Sequence, residues 1–315
     1  MHEHILTKAI STPILLRTRS MNKHYLKGTH RSCSPKETLD KIKPYMSKMG
    51  ITRVANITGL DHIGIPVVTV CRPNSRALSV AQGKGLNLDS AKASGVMEAM
   101  ESYLAENIDL PLRYATYNEM CQKNQVINPE LLPQLSISAF HGELPLLWVE
   151  GYYLAISAVT QCEDRRLEPT VEQSCWVPFD TVHTNYTLPL PTGSGSLMMS
   201  TNGLASGNCL EEALSHAICE LVERDSTSLW QLSGGAELQS DRLLDLSTIS
   251  DPDSLDVLEK YQKAGMLVGV WDTTSDLGIS SFYCTIIDCE ENTIRPLYPA
   301  SGAGCHPCKE IALLR

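Results

Sequence analysis

The sequence predicts an α+β protein, with mixed β-sheets packed against helices in one large two-lobed domain, and three observations predict it. Two long segments repeat apolar residues at helical spacing, short β-rich runs bounded by turn residues lie around them, and 315 residues with 43% hydrophobic content suffice to bury a substantial core. Residues 1–26 read as a short N-terminal extension, with an apolar patch but no signal-peptide cleavage site. Ser34-Pro35 then opens a helix, Ser as cap and Pro in the first turn. Thr52–Ile57 and Ile65–Cys71 are β-rich around a turn at Asp61–Gly64, and Ala77–Ala81 is a further strand candidate.

Leu86–Asn107 follow as a helix capped by Asn87 or Asp89, with Ala93, Val96, Met97, Met100 and Leu104 as its core stripe. Glu98 and Glu101 lie about 60° apart on the opposite face, beside the small residues Ala91, Ser94, Ser102 and Ala105. Residues 110–147, with several prolines, read as a looped connection containing one brief helix. Trp148–Ser157 and Trp176–Asp180 are strands, joined as a hairpin through the charged turn Glu163–Arg166. A loop rich in Gly, Ser and Thr, Pro189–Asn208, delivers the chain into the second long helix. Beyond it Leu243–Gly265 is polar-helical, Met266–Asp272 and Phe282–Asp288 are strands, Ser301–Gly304 is a glycine turn, and a helix ends the chain.

That second helix, Asn208–Arg224, carries the clearest chemical signal. Asn208 is its expected N-cap with Glu211 at the capping-box position, and Leu210, Ala213, Leu214, Ala217, Ile218, Leu221 and Val222 form its expected buried stripe. Glu212, Glu220 and Glu223 share roughly a quarter of the circumference away from that stripe, while Arg224 projects onto the apolar side. A solvated acidic face would pair Glu with Lys four positions on, for roughly 0.2–0.5 kcal/mol per pair, whereas here Arg224 is the sole formal cation. Crowded carboxylates repel one another, and a hard divalent cation is their usual neutraliser. Mg²⁺ held by a few carboxylates commonly arrives with the phosphates of a nucleotide. Ahead of the first glutamate helix, Gln82-Gly83-Lys84-Gly85 offers a phosphate backbone N–H groups and one lysine, though without Walker A spacing; the competing reading is a strand-to-helix turn with an exposed lysine.

A net charge of −10 argues against electrostatic binding of nucleic acid, so any nucleotide must come with metal. No run of eighteen apolar residues exists to span a membrane, and the chain is expected to be cytoplasmic. Eleven cysteines in no regular framework suit a reducing compartment. Cys305-His306-Pro307-Cys308 lacks the second C-x-x-C that a zinc site would need. Cys209 and Cys219 lie on or beside the carboxylate helix, but no His–acid constellation singles out a nucleophile, and His216 reads as a site-lining or solvated residue.

The ordered segments GTHRSCSPKETL, QGKGLNLDSAKASGVMEAMESYLAE, TNGLASGNCLEEALSHAICELVERD and SGAGCHPCKEIALLR, spanning residues 27–315, together resemble the YcaO family, enzymes that use ATP to activate a peptide backbone amide. The E-x-x-E of the first helix and the N-x-x-x-E with E-x-x-E-R of the second are the most specific elements. The resemblance implies a YcaO-type fold and the cofactors ATP and Mg²⁺. By position, Glu98 and Glu101 would contact Mg²⁺, as would members of the set Glu212, Glu220 and Glu223. Asn208 and Arg224 would complete the nucleotide site with Lys84, and Arg31 and Thr38 match a basic and a hydroxyl residue seven positions apart in the family's N-terminal nucleotide-contacting segment. Where some relatives place a serine three residues before the Asn, this chain has Ala205 with Ser206 alongside. No catalytic side chain is assigned.

The chemistry implied is addition of a nucleophile to an amide carbon, attack of the oxyanion on the γ-phosphate, and loss of phosphate. A neighbouring Cys, Ser or Thr of the substrate would give an azoline, and external sulfide a thioamide. The segment GITRVANITGLDHIGIPVVTVCRP resembles the branch associated with a TfuA partner, which favours thioamidation. No winged-helix leader-binding domain fits before residue 27, so a separate protein is expected to present the peptide or protein substrate; homodimerisation is also implied. The family continues beyond the GAGCHP element, whereas this chain stops at Arg315 inside an apolar run, so a domain at 27–315 truncated at its C-terminus is expected. Two other readings stand beside this one: a non-catalytic YcaO-like scaffold that docks a precursor peptide, and a carboxylate-metal hydrolase that turns over without ATP.

Overall fold

The computed structural model describes residues 23–153, 155–157, 168–170, 174–289 and 298–315; most of the expected extension and the charged turn at 163–166 lie outside them. The chain divides into two compact units, one formed by residues 23–104 with 202–315, the other, among described residues, by 105–201.

In the first stretch, β1 (His24–Leu26) and β2 (Thr29–Arg31) pair as an antiparallel hairpin. Ser34 then caps α1 (Pro35–Ile42) as its spacing predicts. Its hydroxyl accepts from Glu37 N at 3.2 Å and its own N–H donates to the Glu37 carboxylate at 2.8 Å, satisfying two otherwise orphaned donors. Strands β3 (Arg53–Asn56), β4 (Val67–Cys71) and β5 (Val80–Lys84) form an antiparallel sheet in that order. Helix α2 (Leu88–Glu106) follows, its first turn held by Asn87, whose side chain accepts from Ser90 N at 2.9 Å. Ile42, Met49, Val68, Val70, Val96 and Met97 make the core between these elements.

Strand β5 begins three residues later than Ala77–Ala81, so the presumed phosphate loop is largely strand. Lys84 pairs with Val67 and Gly83 with Val68. Glycine is needed at 83 because a side chain there would run into the backbone of Ala91 and Gly95 as α2 crosses the sheet. The same close approach explains why Ala91 and Ala99 are buried, while Leu104, expected in the core, is 53% exposed.

The unit at 105–201 contains β6 (Leu112–Thr116), α3 (Tyr117–Cys121), β7 (Pro145–Tyr152), the pair β8 (Ala155–Ser157) and β9 (Glu168–Thr170), and β10 (Ser174–Pro178). Its larger sheet runs β10-β7-β6, over a core of Met120, Leu146, Trp148 and Leu197. Strand β6 stands where a loop is expected. It is an edge strand whose first three residues are exposed, so it lacks the alternation that identifies a half-buried strand.

The remainder of the first unit is α4 (Leu210–Leu232), α5 (Pro252–Lys263), β11 (Met266–Asp272), β12 (Ser281–Asp288), β13 (Ala300–Cys305) and α6 (Lys309–Leu314). The three strands form an antiparallel sheet in chain order. The expected glycine turn at Ser301–Gly304 is instead part of β13, where pairing with β12 supplies the hydrogen bonds that its small side chains leave to the backbone.

Helix α4 corrects the sequence reading most. Its buried line is Glu212, Cys219, Val222, Ser226 and Trp230, so Val222 alone of the expected stripe is fully buried and the line is centred nearly opposite it, while Leu210, Ile218 and Leu221 are exposed. Cys219 and Val222 pack with Cys305 of β13, and Trp230 lies 4.9 Å from the Tyr283 ring and 5.8 Å from that of Trp271. Hydrophobic spacing finds a helix without fixing which side faces the sheet. Here polar partners and two aromatic rings outweigh the leucines.

Candidate functional site

Glu212 is the most thoroughly held carboxylate of the set. It is 6% exposed, and its Oε2 accepts from Ser32 N at 3.0 Å and from the Ser32 hydroxyl at 2.7 Å. Oε1 accepts from Asn208 Nδ2 at 3.2 Å and lies 4.0 Å from Arg31 Nη1. Burial acts to raise its pKa, but the Ser32 and Asn208 hydrogen bonds and the Arg31 charge together hold it below the ordinary value. The fully buried Thr38 hydroxyl lies 3.0 Å from both Ser34 O and Asn208 Oδ1, sharing its proton between them. Asn208 is therefore not the helix cap. Helix α4 begins at Leu210 after Cys209, which makes no side-chain cap, and the Asn208 amide ties α1 to Glu212 instead.

Glu101 has the opposite character. Burial first, then the charges of Glu220 and Glu98, raise its pKa to about 7 against a hydrogen bond from Ser206. Ser206 in turn donates to Met97 O at 3.3 Å, bringing the Gly/Ser loop onto α2. Burial likewise raises Glu220, with Glu223 adding to the effect, and raises Glu98, where Lys84 on the strand end opposes it. Arg224 does not lie on the apolar side. It is largely exposed and its Nη2 sits 3.5 Å from Glu220 Oε1 across one helical turn.

The structure thus divides the five glutamates. Glu98, Glu101 and Glu220 form an electrostatically coupled group with Glu223 beside it, while Glu212 belongs to the polar cluster of Arg31, Ser32, Thr38 and Asn208. Among the described residues no three His, Cys, Asp or Glu side chains converge as a ready-made metal cage. Mg²⁺ bound with a nucleotide does not require one, because it keeps waters and takes one or two carboxylates plus phosphate oxygens. Carboxylates pushed toward their neutral form by burial and by one another match that donor chemistry.

Two residues absent from the sequence reading bear on the second cluster, Ser32 through hydrogen bonds and Arg315 through its charge on Arg31. Ser32 supplies two of the hydrogen bonds to Glu212, and only its position directly after Arg31 signals it. Arg315 donates from Nη1 to Cys305 O at 3.2 Å and lies 3.3 Å from His216 Nδ1. Desolvation, then the charges of Arg315 and Arg31, lower His216 to about 4, so it is neutral at physiological pH and no reservoir of positive charge.

The family of YcaO cyclodehydratases, described as ATP- and Mg²⁺-binding, matches residues 82–315. An uncharacterized protein in the tfuA 3′ region of Rhizobium leguminosarum bv. trifolii is 33% identical over 290 residues, covering 90% of this chain and 64% of the relative's own length. The chain therefore spans under two thirds of that protein. A solved heterocyclase in complex with substrate and cofactor superposes with a TM-score of 0.69 at 24% identity, over 94% of this chain and 41% of the other. YcaO from Methanopyrus kandleri, bound with AMPPCP and Mg²⁺, superposes with a TM-score of 0.65 at 20% identity, over 94% of this chain and 68% of the other. Both share the fold.

Proposed function

The chain belongs to the YcaO family of ATP- and Mg²⁺-binding cyclodehydratases, and from that premise we propose that it activates a peptide backbone amide by O-phosphorylation to give a thioamide in a ribosomally made peptide or protein. The observation that carries the reading is Glu101, a carboxylate raised to about 7 beside Glu98 and Glu220, on two helices the sequence marks as acidic. Such a group favours either a proton or a metal ion.

In this reading Glu98, Glu101 and Glu220 hold Mg²⁺, with Glu223 next to them, and Arg31, Thr38, Lys84, Asn208 and Arg224 contact the nucleotide. Glu212 acts through its partners, fixing Ser32, Asn208 and Arg31 in place. Mg²⁺ and ATP, when bound, supply charge neutralisation and the phosphoryl group that makes the amide oxygen a leaving group. Arg31 and Arg224 would supply the positive charge that a transferring phosphoryl group needs as it gains negative charge. The tfuA neighbourhood of the rhizobial relative supports a thioamide over an azoline and a TfuA-like or leader-binding partner. We place the enzyme in the cytoplasm as a homodimer.

Mass spectrometry of candidate peptides incubated with ATP, Mg²⁺, sulfide and the partner tests the product. Replacement of oxygen by sulfur supports the proposal. Loss of water reassigns the product as an azoline, and no ATP-dependent mass change refutes amide activation. Calorimetry of ATP binding with and without Mg²⁺ tests the site: Glu98→Gln and Glu220→Gln should each weaken the metal-dependent heat, and unchanged binding would refute the metal assignment.

A further inference from the structure

Away from these carboxylates, α4 and the end of β11 border a cavity of about 150 Å³. Its buried lining is Ser226, Trp230 and Thr273, and its exposed rim includes Arg242 and Asp276. Ser226 Oγ, Trp230 Nε1, Thr273 Oγ1 and the nearby Ser275 Oγ are all buried without a hydrogen-bond partner in the protein. A buried polar group left unpaired is destabilising, so four around one cavity call for polar contents.

The chemistry of those contents follows from the donors. An indole N–H can only donate and the three hydroxyls can also donate, so the lining suits one acceptor-rich group such as a carboxylate. On the rim, Arg242 Nη1 donates to the carbonyls of Asp272 at 3.2 Å and Thr274 at 3.3 Å, which fixes the guanidinium, and the Asp276 carboxylate offers an acceptor for a cation. Tyr283 and Trp271 pack on Trp230 and hold its ring in position. A cavity of this volume accommodates a molecule of about six heavy atoms, as a benzene-binding cavity of similar size does. We propose that it binds a small zwitterion of the α-amino-acid class, carboxylate inward on Ser226, Trp230 and Thr273 and ammonium toward Asp276.

Saturation-transfer NMR on the full chain, with L-serine as probe and N-acetyl-L-serine and L-serinamide as controls, tests this. The expected result is transfer to L-serine alone, with affinity falling roughly tenfold in Thr273→Val through loss of one charged hydrogen bond and in Asp276→Asn through loss of the ammonium partner. Calorimetric binding of Mg²⁺·ATP, unchanged in both variants, reports that they fold. No transfer to any probe means that water alone fills the cavity and overturns the proposal. Equal transfer to N-acetyl-L-serine or L-serinamide, or full retention of binding in Thr273→Val, overturns it as well.

Discussion

Replacing Glu101 by Gln in the metal-free, nucleotide-free protein should stabilise the fold at alkaline pH while removing Mg²⁺-dependent nucleotide binding. The folded-state pKa is about 7 against an ordinary 4.5, raised by burial, by Glu220 and by Glu98. For an acid whose folded pKa is raised, the unfolded chain releases its proton first as pH increases. The native state is therefore unpenalised below about 4.5, loses stability progressively between 4.5 and 7, and carries the full penalty above 7. At about 1.36 kcal/mol per pKa unit the shift corresponds to roughly 3 kcal/mol, and solvent access to this partly buried side chain reduces that to about 2 kcal/mol. Glutamine keeps the shape of the neutral acid and removes the titration. Urea unfolding with EDTA present, near pH 5 and near pH 8, should show the variant more stable than wild type by about 2 kcal/mol at the higher pH and by much less at the lower one. Mg²⁺·ATP should then stabilise the wild type and leave the variant unmoved. A variant no more stable than wild type near pH 8, or a difference independent of pH, would refute the electrostatic account of this glutamate.

Two further outcomes test the geometry. Ser32→Ala removes the hydroxyl that donates to Glu212 at 2.7 Å and should cost about 1.5–3 kcal/mol in urea unfolding, with the Glu212 carboxyl titrating at higher pH by ¹³C NMR; an unchanged midpoint would remove Ser32 from the site. Val222→Ala should destabilise by about 2 kcal/mol and Ile218→Ala by under about 1 kcal/mol, since Val222 packs with Cys219 and Cys305 while Ile218 is 46% exposed, and the reverse order would refute the packing of Val222 against β13.

What the sequence discloses follows from how local each determinant is. The Ser34 cap, helix α2 and strand β11 lie close to where the residues predict them, because capping, periodicity and β-branched runs act over a few positions. The glutamates on α2 and α4 are legible for the same reason. The rotation of α4 is not, since it depends on Ser32, Tyr283 and Cys305, all distant in sequence. Gly83 illustrates the intermediate case. A glycine beside a lysine suggests a phosphate loop, but the glycine answers to the approach of Gly95 on the crossing helix, which no short motif records. Asn208 likewise reads as a cap, and becomes a bridge from α1 to Glu212 only once α1 is placed against it.

The bond between Ser32 and Glu212 closes a loop of 180 positions, and the separate unit at 105–201 lies inside that loop. The entropy of closing a flexible loop grows only logarithmically, at about 0.6 kcal/mol per doubling of length, so the intervening unit can vary widely in size with little thermodynamic effect on the closure. Kinetically the cost is greater, because non-local pairings form late. The sheet β3-β4-β5 and α2 can assemble from neighbouring residues, whereas the Arg31 segment must wait for α4. A nucleotide held from both sides, as proposed, would therefore recognise only chains that have completed this closure, and its binding would double as a selection for the finished fold.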